Sequence, residues 1–290
     1  MVARGTAIGL AIVAVAAAVA GCGGSGAPSG SVLARAADAS ASAKGYTVQM
    51  SLHEAIPGAG TADITGTGAF SAPNHSGTMS MTAQVQGQDL QIQEILLGPT
   101  IYVKEPPSVA ANLPGGKPWL ELDLAKVGGQ SYLSTLRSLM SDSSETNPAD
   151  ALSYLKAASS QIQDLGQATV AGVSTTHYRA TLDLEKAGTG EPGSIHATEQ
   201  KLLAQLPGKI LNDTALPVDV WIDASHLVRR MSFTMKVVPN STAQTVEVSL
   251  DLTMTGYGPQ PTPTPPPASQ TSNLLTLLQN EGQSGALSGG

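Results

Sequence analysis

Apolar and polar residues alternate one by one along most of the chain between residues 46 and 257. This period of two places successive side chains on opposite faces of a β-strand. A few helical patterns fall in the crossovers, and no regular succession of strand and helix occurs. The sequence therefore predicts an α+β fold with a large curved antiparallel sheet, a half-barrel of about eleven strands with a few helices over its concave face. The predicted strands are 46–52, 64–70, 79–85, 90–97, 100–104, 119–124, 162–170, 173–184, 218–223, 226–237 and 244–257.

The predicted helices and linkers surround these strands. Residues 31–44 are rich in alanine, have spaced apolar positions and end at Gly45, which indicates a short amphipathic helix. Six prolines within 258–267 indicate an unpaired segment of polyproline II type. Residues 268–290 are predicted to be a mostly disordered tail, and the alternative is a short helix that docks on an unspecified surface. Further helices are predicted at 133–140, 147–158 and 194–206.

The chain has one cysteine, Cys22, and it ends an apolar N-terminal run. Arg4 precedes that run, which is too short to span a membrane, and Val19-Ala20-Gly21-Cys22 has the aliphatic-small-small-cysteine pattern of the bacterial lipobox. An ordinary secretory signal followed by a chance cysteine is the alternative. The pattern predicts a signal peptide at 1–21, diacylglycerol on the Cys22 thiol, further acylation by a group such as palmitate, and a flexible tether at 22–30. The protein would then sit on the extracytoplasmic face of the cell membrane.

Composition and motifs exclude several functions. With 15 Lys and Arg against 22 Asp and Glu, the chain lacks the basic excess that nucleic acid requires. One cysteine permits neither an internal disulfide nor a cysteine-based metal site. The sequence contains neither G-x-S-x-G nor H-E-x-x-H, so we predict no catalytic residue, no metal ligand and no cofactor. Strand phase places His177, Asp219, Asp223, Glu247 and Asp251 on the solvated face.

The apolar face of the predicted sheet is rich in methionine and aliphatic residues and nearly lacks large aromatic ones. Methionine is flexible and adapts to irregular apolar partners. One interpretation is a dry core in which methionine fills gaps, and the other is an uncharged cavity for acyl chains. The candidate cavity-lining residues are Val48, Met50, Leu52, Met79, Met81, Val220, Ile222, Met231, Phe233, Met235, Val248, Leu250 and Leu252.

Residues 31–257 resemble actinobacterial lipoproteins of the LppX/LprG type, which have a half-barrel similar to the lipoprotein carriers LolA and LolB. The resemblance lies in the order of lipobox, tether, first helix and long strands, and in three segments. These segments are Val-Ala-Gly-Val-Ser-Thr-Thr-His-Tyr at 170–178, Leu-Pro-Val-Asp-Val-Trp-Ile-Asp at 216–223 and His-Leu-Val-Arg-Arg-Met at 226–231. The long region 105–158 and the proline-rich, low-complexity tail 258–290 depart from that family.

The resemblance implies a lipid-binding domain rather than an enzyme. In the family, acyl chains of lipids or lipoglycans occupy an apolar cavity on their way to the outer envelope. Carried onto this chain, that role implies a lipid or lipoglycan ligand, attachment to the membrane through acylated Cys22, and a membrane transporter as a candidate partner. The alternative is a signalling or scaffold module of the envelope that binds a protein or cell-wall partner. A hydrolase is a third hypothesis, for which no nucleophile constellation is present.

Overall fold

The structure is a computed structural model that describes residues 30–56, 60–85, 88–111, 115–126, 159–183, 208–210, 215–239 and 245–277. Cys22 with the signal sequence lies outside these residues, as do the helices predicted at 133–140, 147–158 and 194–206. Among the described residues, no helix is long and apolar enough to cross a membrane.

One sheet of thirteen strands dominates these residues. Eleven of the strands correspond to the predicted segments, and the two additional ones, β9 and β13, have three residues each. Alternation cannot reveal so short a strand, because a period of two needs several residues to show. The strands are β1 (Gly45–Ile56), β2 (Gly60–Ser71), β3 (Ser76–Val85), β4 (Gln88–Leu97), β5 (Thr100–Lys104), β6 (Trp119–Asp123), β7 (Ser159–Val170), β8 (Val173–Asp183), β9 (Gly208–Ile210), β10 (Ala215–Asp223), β11 (Val228–Pro239), β12 (Val246–Thr255) and β13 (Thr271–Asn273).

The sheet is open, as in a half-barrel, and mostly antiparallel. Its strand order is β13-β6-β5-β4-β3-β2-β1-β12-β11-β10-β8-β7, with β9 attached to β11. The strands β1 to β6 form a meander, and β1 pairs with β12 from Thr47 opposite Thr255 to Ala55 opposite Glu247. That long-range pairing joins the two halves of the domain at the centre of the sheet. The one parallel pair among the described strands is β13 with β6.

The hairpin between β7 and β8 shows how local sequence sets the register. Ala171 and Gly172 both have positive φ angles, 47° and 80°. A two-residue loop with two positive φ angles has the twist that antiparallel strands require. The two residues between the predicted strands 162–170 and 173–184 therefore form a tight hairpin turn, with Val170 paired to Val173.

The first helix, α1 (Gly30–Ser42), lies on the apolar face of the sheet. Leu33, Ala36 and Ala37 form its inner stripe and have no exposed surface. The two alanines allow a close approach to the strands, and the Ser40 hydroxyl accepts a hydrogen bond from the Val228 amide at 3.3 Å. A second, four-residue helix, α2 (Pro107–Ala110), lies in the loop after β5.

Two groups of buried apolar side chains cover this face. The smaller group, called the second cluster, consists of Ile101, Leu122 and Leu124, with Leu96, Val103, Leu274 and Leu275 packed against them. The main cluster joins the helix to the central strands and consists of Leu33, Ala36, Ala37, Val48, Met50, Ile64, Met79, Met81, Ala83, Ala180, Leu216, Val218, Val220, Ile222, Val228, Leu250, Leu252 and Met254.

Residues 258–277 run back along the domain, so the prediction of a mostly disordered tail is wrong for 268–277. Thr271–Asn273 adds β13 to the edge strand β6. Lys117 Nζ donates to the Thr271 carbonyl at 2.8 Å, and Leu274 and Leu275 pack on the second cluster. The alternative of a docked segment fits these contacts, since β13 pairs with the edge strand β6 and the apolar patch after it packs on the second cluster.

Candidate functional site

All predicted lining residues lie on the apolar face of the sheet. Directly opposite residues of neighbouring strands point to the same face, and Met50 lies opposite Leu252, which lies opposite Met231. The buried members belong to the main cluster: Val48, Met50, Met79, Met81, Val220, Ile222, Leu250 and Leu252. The partly buried members are Leu52, Met231, Phe233, Met235 and Val248. Strand phase thus located this face, while their role as the lining of a cavity stays a prediction.

Two methionines lie over two glycines on this face. Met79 and Met81 of β3 are 4% and 3% exposed, and they lie opposite Gly68 and Gly66 of β2. A Cβ atom on Gly68 would come within 3.0 Å of Met79 Sδ, and one on Gly66 within 2.9 Å of Met81 Cγ. The missing side chains of β2 therefore leave a shallow trough in the sheet, and the two flexible methionines fill it.

Aromatic residues are not missing from this face, contrary to the prediction. Tyr46, Phe70 and Tyr257 meet at one end, with ring centroids 5.7 Å apart for Tyr46–Phe70 and 6.1 Å for Tyr46–Tyr257. The Tyr257 hydroxyl donates to the Val228 carbonyl, and burial raises the pKa of Tyr46 to about 12. With Tyr178 and Phe233, five of the eight Phe and Tyr residues of the chain pack against the main cluster.

The apolar face also carries carboxyl groups: Glu54 of β1 lies opposite Val248, in the phase of Met50 and Leu52, and Glu94 lies between the two buried clusters. Glu94 of β4 lies opposite Met79 on one side and Val103 on the other, and it is partly buried. Burial raises the pKa of Glu94 to about 7. The sequence did contain the signal, because Leu90 and Ile92 set an inward phase that the next residue but one, Glu94, must share.

The opposite, polar face of the sheet holds an open groove of about 610 Å³. It crosses the five central strands from β12 to β4, and most of its lining residues have hydroxyl or amide side chains. Of the predicted cavity-lining residues, Met50 and Met81 line this groove, and the other eleven do not. Its lining residues are Gln49, Met50, Ser51, Thr65, Gly66, Thr67, Ser80, Met81, Thr82, Gln91, Ile92, Gln93, Asp251 and Thr253.

His177 lies on the polar face as predicted, inside a network of paired side chains. Asp219 Oδ1 accepts from His177 Nε2 at 2.7 Å, and both Asp219 oxygens accept from Arg179 at 3.0 Å. Burial works to raise the pKa of Asp219, but the hydrogen bonds from Arg179 and His177 outweigh it and lower the pKa. Trp221 stacks on the His177 ring at 4.2 Å and under the Arg230 guanidinium at 4.5 Å. These contacts join β8, β10 and β11, and the charged groups in them are already paired.

Asp223 departs from its predicted solvated position. It is 8% exposed at the end of β10, where it accepts from the amides of Ser225 and Leu227 at 2.8 and 2.9 Å and from Arg229 Nε at 2.7 Å. The register between β10 and β11 shifts between Trp221 and Ile222, with Arg229 as the extra residue of β11, and this places Arg229 against the Asp223 carboxylate. Asp223 therefore holds the turn to β11, whereas Glu247 is exposed as predicted.

The described residues contain no group of three His, Cys, Asp or Glu side chains placed to hold a metal ion. These residues offer a broad apolar surface with adaptable side chains and a few carboxyl groups, of which Glu94 lies between the two buried clusters. The fold class is therefore α+β, an open and mostly antiparallel sheet with a helix on its apolar face.

No family model matches the chain. A Streptomyces griseus protein, described as an uncharacterized 31.2 kDa protein in the rplA-rplJ intergenic region, is 29% identical over 164 residues. The match covers 56% of this chain and 51% of that protein, so the chain spans about half the length of this curated relative.

Several solved structures are similar to the chain, of the type that its sequence resembles. The lipoprotein LppX of Mycobacterium tuberculosis is 15% identical with a TM-score of 0.38, and the match covers 82% of this chain and 98% of LppX. LprF of Mycobacterium bovis is 15% identical with a TM-score of 0.43, covering 84% and 100%. A LolA superfamily protein of Nitrosomonas europaea is 10% identical with a TM-score of 0.29, covering 82% and 96%. Identities and TM-scores this low say nothing about the ligand of this chain.

Proposed function

We propose that this protein is a lipid-anchored extracytoplasmic lipoprotein that binds acyl chains on the apolar face of its sheet. In this role residues 31–257 form the lipid-binding domain, and the protein carries a lipid or lipoglycan across or along the cell envelope. The observation that supports it most is the trough of Gly66 and Gly68 under Met79 and Met81.

An acyl chain can occupy the trough when the side chains of Met79 and Met81 move aside. A methionine side chain has three rotatable bonds and no branch, so it can swing aside at smaller strain than a valine or isoleucine. Glycines beneath it leave a strip of backbone without side chains, where a methylene chain can lie against the sheet. Each methylene removed from water contributes about 0.8 kcal/mol, and no bond is made or broken, so transfer is reversible.

The proposed anchor would hold this surface near its donor membrane. Acylated Cys22 supplies the lipid attachment and the tether 22–30 supplies the reach, and α1 begins at the last tether residue, Gly30. A Cys22→Ser protein should appear in the soluble fraction after cell lysis, whereas the wild-type protein sediments with membranes. Retention of the Cys22→Ser protein on membranes after a high-salt wash would contradict the lipobox assignment.

Native mass spectrometry of gently extracted protein tests the lipid-binding role. Met81→Gln keeps an unbranched side chain but places an amide over the trough, so we expect it to lose most co-purified lipid. Ser80→Gln is the matched control, because Ser80 is the adjacent residue on the opposite face and is exposed. A thermal melting curve for each variant checks that both are folded.

The result also separates the alternative function. Equal lipid content in wild type, Met81→Gln and Ser80→Gln would refute binding at the trough. Wild-type protein that is free of lipid and takes up none from vesicles would favour a signalling or scaffold module.

A further inference from the structure

We infer that Glu94 is the headgroup contact of the lipid site and that it selects ligands whose polar part donates hydrogen bonds, through hydroxyl or ammonium groups, over anionic ones. This inference rests on the proposed function, because it assumes that the apolar face holds an amphiphile. It gives the bound amphiphile an orientation, with its acyl chain on the main cluster and its polar group at Glu94 of β4.

The position of Glu94 on the sheet is the first argument. Ile92, two residues before it on the same face, packs on the main cluster, and Leu96, two residues after it, packs on the second cluster. Across the strands, Met79 belongs to the main cluster and Val103 to the second. Glu94 therefore marks the boundary between the two clusters, with apolar neighbours about 5 to 7 Å away on each side.

The lack of a partner is the second argument. In the part of the chain that the structure describes, no hydrogen bond or ion pair reaches the Glu94 carboxyl, and burial alone accounts for its raised pKa. Asp223, which is also withdrawn from water, accepts hydrogen bonds from three donors. A carboxyl group among apolar side chains is unfavourable unless it is hydrogen-bonded, and a bound headgroup can supply the missing donor.

The charges near Glu94 decide which headgroup fits. Lys104 lies on the strand beside it but on the other face, where its Nζ sits 5.9 Å from the Trp119 ring. Among the described residues of β3 and β5 and their ends, the titratable group that shares the phase of Val103 is Glu105, and burial raises its pKa also. Two carboxyl groups without a cation repel a phosphate, sulfonate or carboxylate headgroup. They attract an ammonium group and accept from hydroxyl groups.

Three amphiphiles with the same dodecyl chain test the selectivity in the full-length protein: dodecylamine, monolaurin and dodecyl sulfonate. Calorimetric titration at pH 8 should give affinities for dodecylamine and monolaurin about tenfold or more above that for the sulfonate, since a hydrogen bond to a charged group is worth about 1.5–3 kcal/mol. In Glu94→Gln the preference should shrink to about twofold. Glu247→Gln, an exposed carboxylate on the polar face, is the control and should behave as wild type.

A pH series gives a second readout. Near pH 5.5 the Glu94 carboxyl is mostly protonated, so sulfonate binding by wild type should strengthen relative to pH 8, while Glu94→Gln should show a much smaller change. The same selectivity and the same pH response in wild type and Glu94→Gln would overturn the inference. Binding of all three amphiphiles with equal affinity would overturn it while leaving the proposed function standing, and binding of none would refute the proposed function itself.

Discussion

Replacing Glu94 by glutamine should stabilise the fold in a pH-dependent way. Glutamine has nearly the same shape but does not ionise, so it removes the need to bury a charge. The pKa of Glu94 rises from 4.5 to about 7 on folding. At 1.36 kcal/mol per pKa unit this corresponds to about 3 kcal/mol, and we expect about 2 kcal/mol because Glu94 keeps some contact with water.

The sign follows from proton binding. Between about pH 4.5 and pH 7 the folded protein holds a proton on Glu94 that the unfolded chain has already released. The free energy of unfolding of wild type therefore falls as the pH rises through this window. Above about pH 7 the stabilisation that came from protonated Glu94 is fully lost. Burial also raises the pKa of Glu105, which adds a loss of the same sign in wild type and in the variant.

Urea unfolding at pH 4.5, 6, 7 and 8 measures the difference between Glu94→Gln and wild type. It should be near zero or slightly negative at the lowest pH, where a protonated carboxyl and an amide are alike, and grow to about 2 kcal/mol at pH 8. Glu247→Gln should follow wild type throughout. A difference between Glu94→Gln and wild type that stays constant from pH 4.5 to 8 would refute the placement of Glu94 in an apolar environment.

Three further substitutions test the packing. Gly68→Ala should destabilise by about 1–3 kcal/mol in urea unfolding, because its Cβ would lie 2.6 Å from the Thr78 carbonyl oxygen; an unchanged midpoint would contradict the trough. Asp223→Ala should lower the free energy of unfolding by about 3–5 kcal/mol, because Arg229 and two turn amides lose their hydrogen-bond acceptor. A loss below about 1 kcal/mol would place Asp223 in solvent. Leu274→Asp should detach the tail from the second cluster and raise hydrogen exchange of β6, while unchanged exchange would mean that the tail does not cover this edge.

The long strands could be predicted because their alternation has one cause. A strand buried on one face must repeat every second residue, so pattern and burial agree from Met79 to Ala83 and from Val218 to Ile222. The strand β13 could not be predicted, since Thr271–Asn273 has no alternation and owes its conformation to the open edge of β6. The tail thus takes its structure from the sheet on which it lies.

The site residues were predictable to the level of the face and no further. Phase places a side chain above or below the sheet, but it cannot tell a solvated carboxylate from one held by a turn. Asp223 is buried because a bulge and the amides after it enclose the carboxylate. Conversely, Glu94 follows the apolar phase of β4, and its charge obscured the fact that the sheet carries it inward.

The apolar face divides into two halves with different mechanical character, which bears on how it could take up a ligand. Around α1, rigid rings and alanines pack closely, with Tyr46, Phe70 and Tyr257 locked by mutual contacts and a buried hydroxyl. Across β2 to β4 lie glycines, unbranched methionines and the unpaired Glu94. A surface that must open and close needs side chains that move without disturbing the backbone, and β2 to β4 provide them while the central strands hold the register. Under the proposed function, ligand uptake confined to this half would leave the long β1–β12 pairing intact, and lipid exchange would not require unfolding of the core.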